Sequence, residues 1–552
     1  MKKRIISYIA STLSVAALFS GCTGAFEDMN TDPYGVTDEE LLQDNNYIGA
    51  HFPSMEKSIY YNKDGWGWDF QTIQNLTSDI WSGYMATSST FNMGGQDTQS
   101  YVLPSSWTDT FWSYTYNAIM INQLKVKDKC EEMGMETYAH FNAINTILRV
   151  FGMSRVVDEY GPIIYSHYGE TMTGGIYDAA QDVYKLFFEE LKEASEVLYD
   201  YSSKEGLASF ANFDMAYGGD LTKWLKLCNT LRLRLALRVV KYDATWAKTE
   251  GEAAIAAPGG LLQSGEGFII SGFEWMHPLY TCSIEYNDMF INANVKSILG
   301  GYNDPRLDMF GSAKKLELKD GTVSNEILGV RSGIPDLDIL TDRYKAVIAN
   351  INVESNTPGV IMSSAEPYFL LAEAALRGWN TGGTAKGYYE DGVRASFSEW
   401  GVSGVDDYLA SHAVPADFVD PLTLVASSDA EITALAAENN TVAASTVTPC
   451  WDDATTDEER LEKIITQKWI AGFPEGKNAW AEWRRTGYPK LFLIRQNNSA
   501  GVIPTELGVR RIPFIQDEVN NNPEGYAQAV ELLGGPDNGA TRIFWDVDAP
   551  NF

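Results

Sequence analysis

The chain has 552 residues, of which 45% are hydrophobic, and 74 Asp and Glu face 42 Lys and Arg for a formal net charge of −32. That charge repels a phosphate backbone and argues against nucleic acid as a partner, while leaving neutral ligands open. The length exceeds a usual single domain, so several domains or one long helical array is expected.

Lys2, Lys3 and Arg4 precede a mostly apolar run, 5–19, which ends in Ser20-Gly21-Cys22. This is the pattern of a secretory signal, too short and wrongly flanked to span a bilayer. A small residue directly before a cysteine suits the lipoprotein signal peptidase. Residues 1–21 are therefore read as the signal and Cys22 as the lipid-bearing first mature residue, although Phe19 stands where leucine is usual. The alternative is ordinary secretion with Cys22 unmodified. Removing residues 1–21 takes away three positive charges and no negative ones, so the net charge moves from −32 to −35. The greasiest later run, 231–240, is interrupted by Arg232, Arg234 and Arg238. Any membrane contact is thus expected through lipid alone. The other cysteines, Cys130, Cys228, Cys282 and Cys450, show no CxxC spacing. Cys228 reads as a core thiol, and a disulfide among the remaining three is allowed by an oxidising compartment, with no framework implied.

Residues 22–46 are polar and turn-rich and read as anchor and tether, leading into a single body over 47–552. Ile48, Phe52, Met55 and Ile59 share a helical register. Residues 64–110 differ in texture. Five of the fifteen tryptophans, Trp66, Trp68, Trp81, Trp107 and Trp112, fall within 66–112, among many glycines and amides. Helices are predicted over 111–125, 137–160, 181–198 and 221–242, the second stopped by Gly161-Pro162. Residues 250–360 lose helical period and read as loops, short strands and short helices. Helical pattern returns over 364–379 and 385–397. Residues 401–457 are acidic, rich in Ala, Thr and Ser, and read as a surface insertion. In 461–491, Leu461, Ile464, Ile465, Lys468 and Trp469 form one helix face, with the lysine stem along its edge. Pro474-Glu475-Gly476 stops that helix, and Asn478 is the expected N-cap of a second one carrying Trp480 and Trp483. The helical scaffold thus occupies about 110–245 and 364–491. Recurring helix pairs fit either an α-solenoid of the tetratricopeptide kind or an irregular all-α globule, and pattern alone does not choose.

Catalytic and metal motifs are not found. His51, His140, His167, His277 and His412 lack ligand spacing, and no GxSxG, GxGxxG or Walker loop occurs. No metal, cofactor or catalytic residue is therefore assigned. Acidic residues are plentiful, but no pair is singled out for glycoside hydrolysis. The aromatic and amide supply of the loop-rich segments points elsewhere. A sugar ring offers an apolar C–H face and a hydroxyl rim, matched by an exposed aromatic ring beside Asn, Gln or Asp. On that basis Trp66, Trp68, Trp81, Trp107, Trp275 and Tyr286 are expected to stack on sugars, and Asp69, Asn92, Gln96 and Asn287 to bind hydroxyls. The competing reading is that these rings staple loops to the helical core. Trp112, Trp224, Trp469, Trp480 and Trp483 lie on helix faces and are assigned to packing.

Several stretches together resemble the SusD/RagB family. They are FEDMNTDPYG (26–35), VVDEYGPIIYS (156–166), WLKLCNTLRLRLALRV (224–239), NDPRL (303–307), AEPYFLLAEAALRGW (365–379), IITQKWIAGFPEGKNAWAEWRRTGYPKL (464–491) and RRIPFIQDE (510–518). The resemblance implies a mostly α fold: a superhelical scaffold of tetratricopeptide-like helix pairs with an irregular, loop-rich ligand region. It also implies a non-enzymatic, lipid-anchored outer-membrane protein facing the exterior. Its partner would be a SusC-like TonB-dependent transporter, and its cargo usually an oligosaccharide, alternatively a peptide. A glycoside hydrolase and a ligand-free scaffold are the remaining alternatives. No ligand residue is carried over, because no family motif covers the candidate positions.

Overall fold

The computed structural model describes residues 43–61, 67–91, 93–171, 174–272, 276–335, 337–425 and 429–552. The expectations for the signal, for Cys22 and for most of the tether lie outside these residues, as do those for Trp66, Asn92 and Trp275. The chain divides into two compact units, Met1–Ala50 and His51–Phe552. In the first, a 3-10 turn, Gln43–Asn45, leads into a short helix, Asn46–Gly49. All that follows concerns the second.

The fold is mostly α. The principal helices are α1 (Ile121–Met133), α2 (Met135–Tyr160), α3 (Ala180–Tyr201), α4 (Leu221–Arg238), α5 (Ala244–Ala256), α6 (Glu366–Leu376), α7 (Ala385–Glu399), α8 (Asp457–Ala471) and α9 (Gly476–Thr486). Each of α1 to α4 packs on the next, ending at α5, and α6 packs on both α7 and α8. Their starts follow from side-chain acceptors. Asp220 accepts from the backbone N–H of Thr222 and Lys223, Asp243 from those of Thr245 and Trp246, and Thr456 forms a capping box with Glu459. For α9 the cap is Glu475, which accepts from Asn478 N, and not Asn478 as expected. The Asn478 amide is taken up instead by Glu366 and Arg238. No helix among the described residues is long and apolar enough to cross a membrane.

Strands are short and pair in twos, all antiparallel: β1 (Met85–Thr87) with β3 (Met289–Ile291), β2 (Phe268–Ile270) with β6 (Gly359–Met362), and β4 (Lys314–Glu317) with β5 (Val323–Glu326). The acidic stretch 401–457 is tied to this loop-rich part. Leu422 and Ala436 enter a buried cluster with Leu337, Leu340 and Tyr344, and buried Asp420 accepts from Tyr344 Oη at 2.7 Å. Cys130, Cys228, Cys282 and Cys450 are all unbridged, so the disulfide that an oxidising compartment would allow is not formed among them.

The centre of the helical scaffold is ionic. Arg234 forks onto Glu366 at 2.8 and 2.6 Å. Arg485 reaches Glu373 at 2.7 Å through each of two nitrogens and Glu482 at 2.6 Å. Arg238 lies 3.2 Å from Glu482, and Lys468 sits between Glu366 at 3.5 Å and Glu482 at 3.4 Å. Every one of these side chains is buried. The Lys468 ammonium therefore lies inside the protein and not at an apolar edge. The network joins α4, α6, α8 and α9, and it explains why arginines interrupt the greasy helix α4. Cations hold Glu482 well below its ordinary value of 4.5 despite burial. A carboxylate with a depressed folded pKa stabilises the fold above 4.5, and that stabilisation is lost as pH falls through the folded value. Glu482→Gln, which leaves three buried cations short of an anion, is expected to lower unfolding free energy in urea at pH 7 by about 3–5 kcal/mol. The gap from wild type should narrow below pH 4.5. Coincident urea curves at pH 7 would contradict this account.

Candidate functional site

The pairing of β1 with β3 sets Met85 opposite Ile291 and Thr87 opposite Met289. Asn292 reinforces it, donating from N to Tyr84 O at 3.1 Å and from Nδ2 to Met85 O at 3.0 Å. This joins the tryptophan-rich segment to one more than 200 residues away. Preceding each strand is a short helix that widens into a π-turn. Gly67–Phe70 runs into Gln71–Asn75, and Pro278–Tyr280 runs into Thr281–Glu285.

The two turns abut. A Cβ on Gly67 would lie 2.6 Å from Thr281 Cγ2, so only glycine fits here. The Cys282 thiol donates to Gly67 O at 3.6 Å. His277 anchors the second turn from below. Its Nδ1 accepts from Leu279 N at 3.2 Å, so the ring proton sits on Nε2, 3.0 Å from the Tyr60 hydroxyl, while its backbone N–H donates to Ser355 O at 2.8 Å. Burial takes the imidazole down to about 3, which keeps it neutral at physiological pH.

Four large apolar side chains stand exposed on these turns: Trp68 at 48%, Tyr286 at 44%, Met276 at 42% and Ile284 at 37%. Aromatic faces and apolar side chains left in water on a polar, acidic protein make these turns a candidate binding surface. Asp69 is half-buried beside Trp68. Asn287 takes a left-handed φ of 51° just after Tyr286, and its Oδ1 accepts from Asn350 Nδ2 at 3.0 Å, so its carbonyl oxygen shapes the turn.

The remaining expected residues are placed differently. Trp81 is only 8% exposed, donates through Nε1 to Thr98 O at 3.1 Å, and packs 4.7 Å from the Trp480 ring. It is withdrawn from the stacking set, because its faces are covered by protein. Trp107 is half-buried and meets Phe91 edge-on at 5.7 Å. Gln96 is exposed on a separate loop, which Asn498 ties down by donating to Gly95 O at 2.6 Å. Of the expected residues among those described, the fold brings Trp68, Asp69, Tyr286 and Asn287 onto the two abutting turns. Met276 and Ile284 were missed, since a lone Met or Ile in a loop carries no chemical signature. The Trp275-Met276-His277-Pro278 run did contain a usable signal: a histidine directly before proline at a helix start.

Comparison with known proteins agrees with this architecture. The family model described as SusD-like, SusD and RagB outer membrane lipoprotein, matches residues 28–546. Among solved structures, a chitin-binding SusD homologue from Flavobacterium johnsoniae is 41% identical, with a TM-score of 0.83 over 92% of this chain and 100% of that one. A SusD homologue from Bacteroides vulgatus is 37% identical, with a TM-score of 0.83 over 92% and 99% of the two chains. One from Bacteroides uniformis is 32% identical, with a TM-score of 0.79 over 91% and 99%. Comparison with curated protein sequences found no match. The helix-pair scaffold, the loop-borne aromatic surface and a family match spanning nearly the whole chain lead to one conclusion: the protein belongs to the SusD/RagB family of outer membrane lipoproteins, which bind and do not catalyse.

Proposed function

We propose that this protein captures an oligosaccharide at the surface formed by the 67–70 and 276–287 turns and passes it to a SusC-like TonB-dependent transporter. The observation that carries this reading is the exposure of Trp68 and Tyr286 on two turns held in contact by Gly67 and Thr281. Two rings on a rigid base can stack on successive sugar faces with little loss of conformational freedom. Trp66 and Trp275, which adjoin these turns in sequence and lie outside the described residues, remain candidates for the same role. Asp69 and the Asn287 amide are the rim partners for hydroxyls.

The chitin-binding relative makes chito-oligosaccharides the first cargo to test. Their N-acetyl methyl groups suit the exposed Met276 and Ile284 side chains, which a purely hydroxylated sugar would leave uncovered. A peptide cargo is the competing outcome of the same titration. An acidic protein binding a basic peptide would show strong salt dependence, whereas a neutral glycan would not.

Calorimetric titration with a glycan panel including chito-oligosaccharides is expected to show binding insensitive to salt. Trp68→Ala and Tyr286→Ala should each weaken it about tenfold, or about 1.4 kcal/mol. Trp81→Phe should leave affinity unchanged while lowering stability. Unaltered affinity in both ring deletions would sink the site.

Gly67→Ala retains both rings but forces the turns apart. It is expected to cost about 1–3 kcal/mol of stability by overpacking and to weaken glycan binding several-fold. Pull-down from outer membranes should recover a large β-barrel transporter, and its absence would count against the delivery role.

A further inference from the structure

The stretch 401–457 contains an arrangement for which glycan capture has no use. His412, Cys450 and Asp453 offer an imidazole nitrogen, a thiol sulfur and a carboxylate oxygen, all within 4.8 Å of one another. It is the one such cluster of three or more His, Cys, Asp or Glu groups among the described residues. His412 Nδ1 lies 2.8 Å from Asp453 Oδ2 and 3.0 Å from Oδ1. Ligand atoms about 2.0 Å from a tetrahedral zinc ion stand roughly 3.3 Å apart, close to this nitrogen–oxygen separation.

The backbone under the cluster is held in place without a metal. Cys450 N donates to Ser411 O at 3.1 Å, which ties the two ends of the excursion together. Thr448 Oγ1 donates to Asp453 Oδ2 at 2.6 Å, which fixes the carboxylate with both oxygens within 3.0 Å of the imidazole Nδ1. From α7, Tyr389 Oη donates to Pro449 O at 2.7 Å. From α8, Lys463 Nζ donates to Thr448 O at 2.7 Å and to Cys450 O at 2.8 Å. The second nearby ammonium, Lys386, is held by Asp452 at 2.7 Å. Both cations thus have acceptors of their own. His412 is 74% exposed, so its pairing with Asp453 adds little to stability by itself.

We infer that His412, Cys450 and Asp453 form a Zn2+ site that clamps the two ends of the 413–449 excursion, with water as the fourth ligand. Nitrogen, sulfur and oxygen donors with one open position are a borderline-soft set that favours zinc over calcium or magnesium. A thiolate, a carboxylate and a neutral imidazole carry two negative charges, which the ion neutralises. As the Zn–S bond forms, the Cys450 thiol gives its proton to buffer. The neutral imidazole binds through Nδ1 in the tautomer protonated at Nε2. One proton is therefore released per ion. The clamped excursion carries Leu422 and Ala436 into the buried cluster around Tyr344. Zinc is thus a staple for that lobe, binding the native state alone and raising its stability by mass action.

The test uses the purified chain stripped with chelator and titrated with Zn2+ or Co2+. We expect one ion per chain and about one proton released. Co2+ should produce a thiolate-to-metal charge-transfer band that Cys450→Ser abolishes. His412→Ala and Asp453→Asn should weaken Zn2+ binding at least tenfold, whereas His167→Ala, which removes another exposed histidine paired with a carboxylate, should leave it unchanged. Zn2+ should raise the melting temperature of wild type and not that of Cys450→Ser. His412 and Asp453 are exposed and Cys450 is half-buried, and circular dichroism checks the fold of each variant. Zn2+ affinity unaffected by Cys450→Ser, or a Co2+ complex without the thiolate band, would overturn the assignment.

Discussion

Glu482 is the point on which the scaffold turns. An ionised carboxylate cannot be buried without partners, and this one is surrounded by Arg238, Lys468 and Arg485 from three different helices. Glu366 and Glu373 extend the same alternation of charge on α6. Apolar faces could let helix pairs slide past one another by a turn at modest cost. Charges buried in fixed geometry do not, because every shift strands an ion. The ionic centre therefore sets the register of α4, α6, α8 and α9, and the apolar stripes around it supply the bulk of the burial. A strongly acidic chain concentrates its scarce arginines and lysines where anions must be buried, and leaves much of its negative charge in water.

The proposed ligand surface depends on that rigidity at one remove. Tyr84 and Trp469 bring the base of β1 onto α8, through a hydrogen bond from the tyrosine hydroxyl to the Trp469 carbonyl and a ring contact at 4.8 Å. Trp469 Nε1 in turn donates to Ser82 O at 2.8 Å. The tryptophans on the helix pair are thus the pegs that seat the N-terminal segment. Among the described residues the tryptophan left exposed to water is Trp68, on the turn that precedes β1. Division of labour among chemically identical rings follows from position: Trp81, facing α9, is covered by Trp480, and Trp68 is not covered.

Much of the scaffold was legible because it is written locally. Apolar residues at helical spacing mark α2, α3, α4 and α8, and Gly161-Pro162 ends α2, whereas the Asp243 cap and the helix it opens, α5, were not read from the sequence. Where local reading failed, a distant partner decided. Asn478 has the chemistry of an N-cap, yet Glu366 and Arg238 from other helices claim its amide and Glu475 caps instead. Lys468 reads as an edge lysine until two glutamates from α6 and α9 draw it inward. Trp81 has the sequence surroundings of a sugar platform, but Trp480, nearly four hundred residues on, covers it.

What the amino-acid sequence by itself determined is the class of protein: helix pairs from their 3.6-residue period and caps, an acidic surface from composition, and family membership from motifs that keep their order along the chain. Periodicity and capping act within a turn or two of helix, so they survive in one dimension. Only the tertiary structure decided which rings face water, which charges meet inside, and that His412 reaches Cys450 and Asp453 across a loop of nearly forty residues. Those outcomes depend on which distant surfaces are pressed together, and that information has no local period to read.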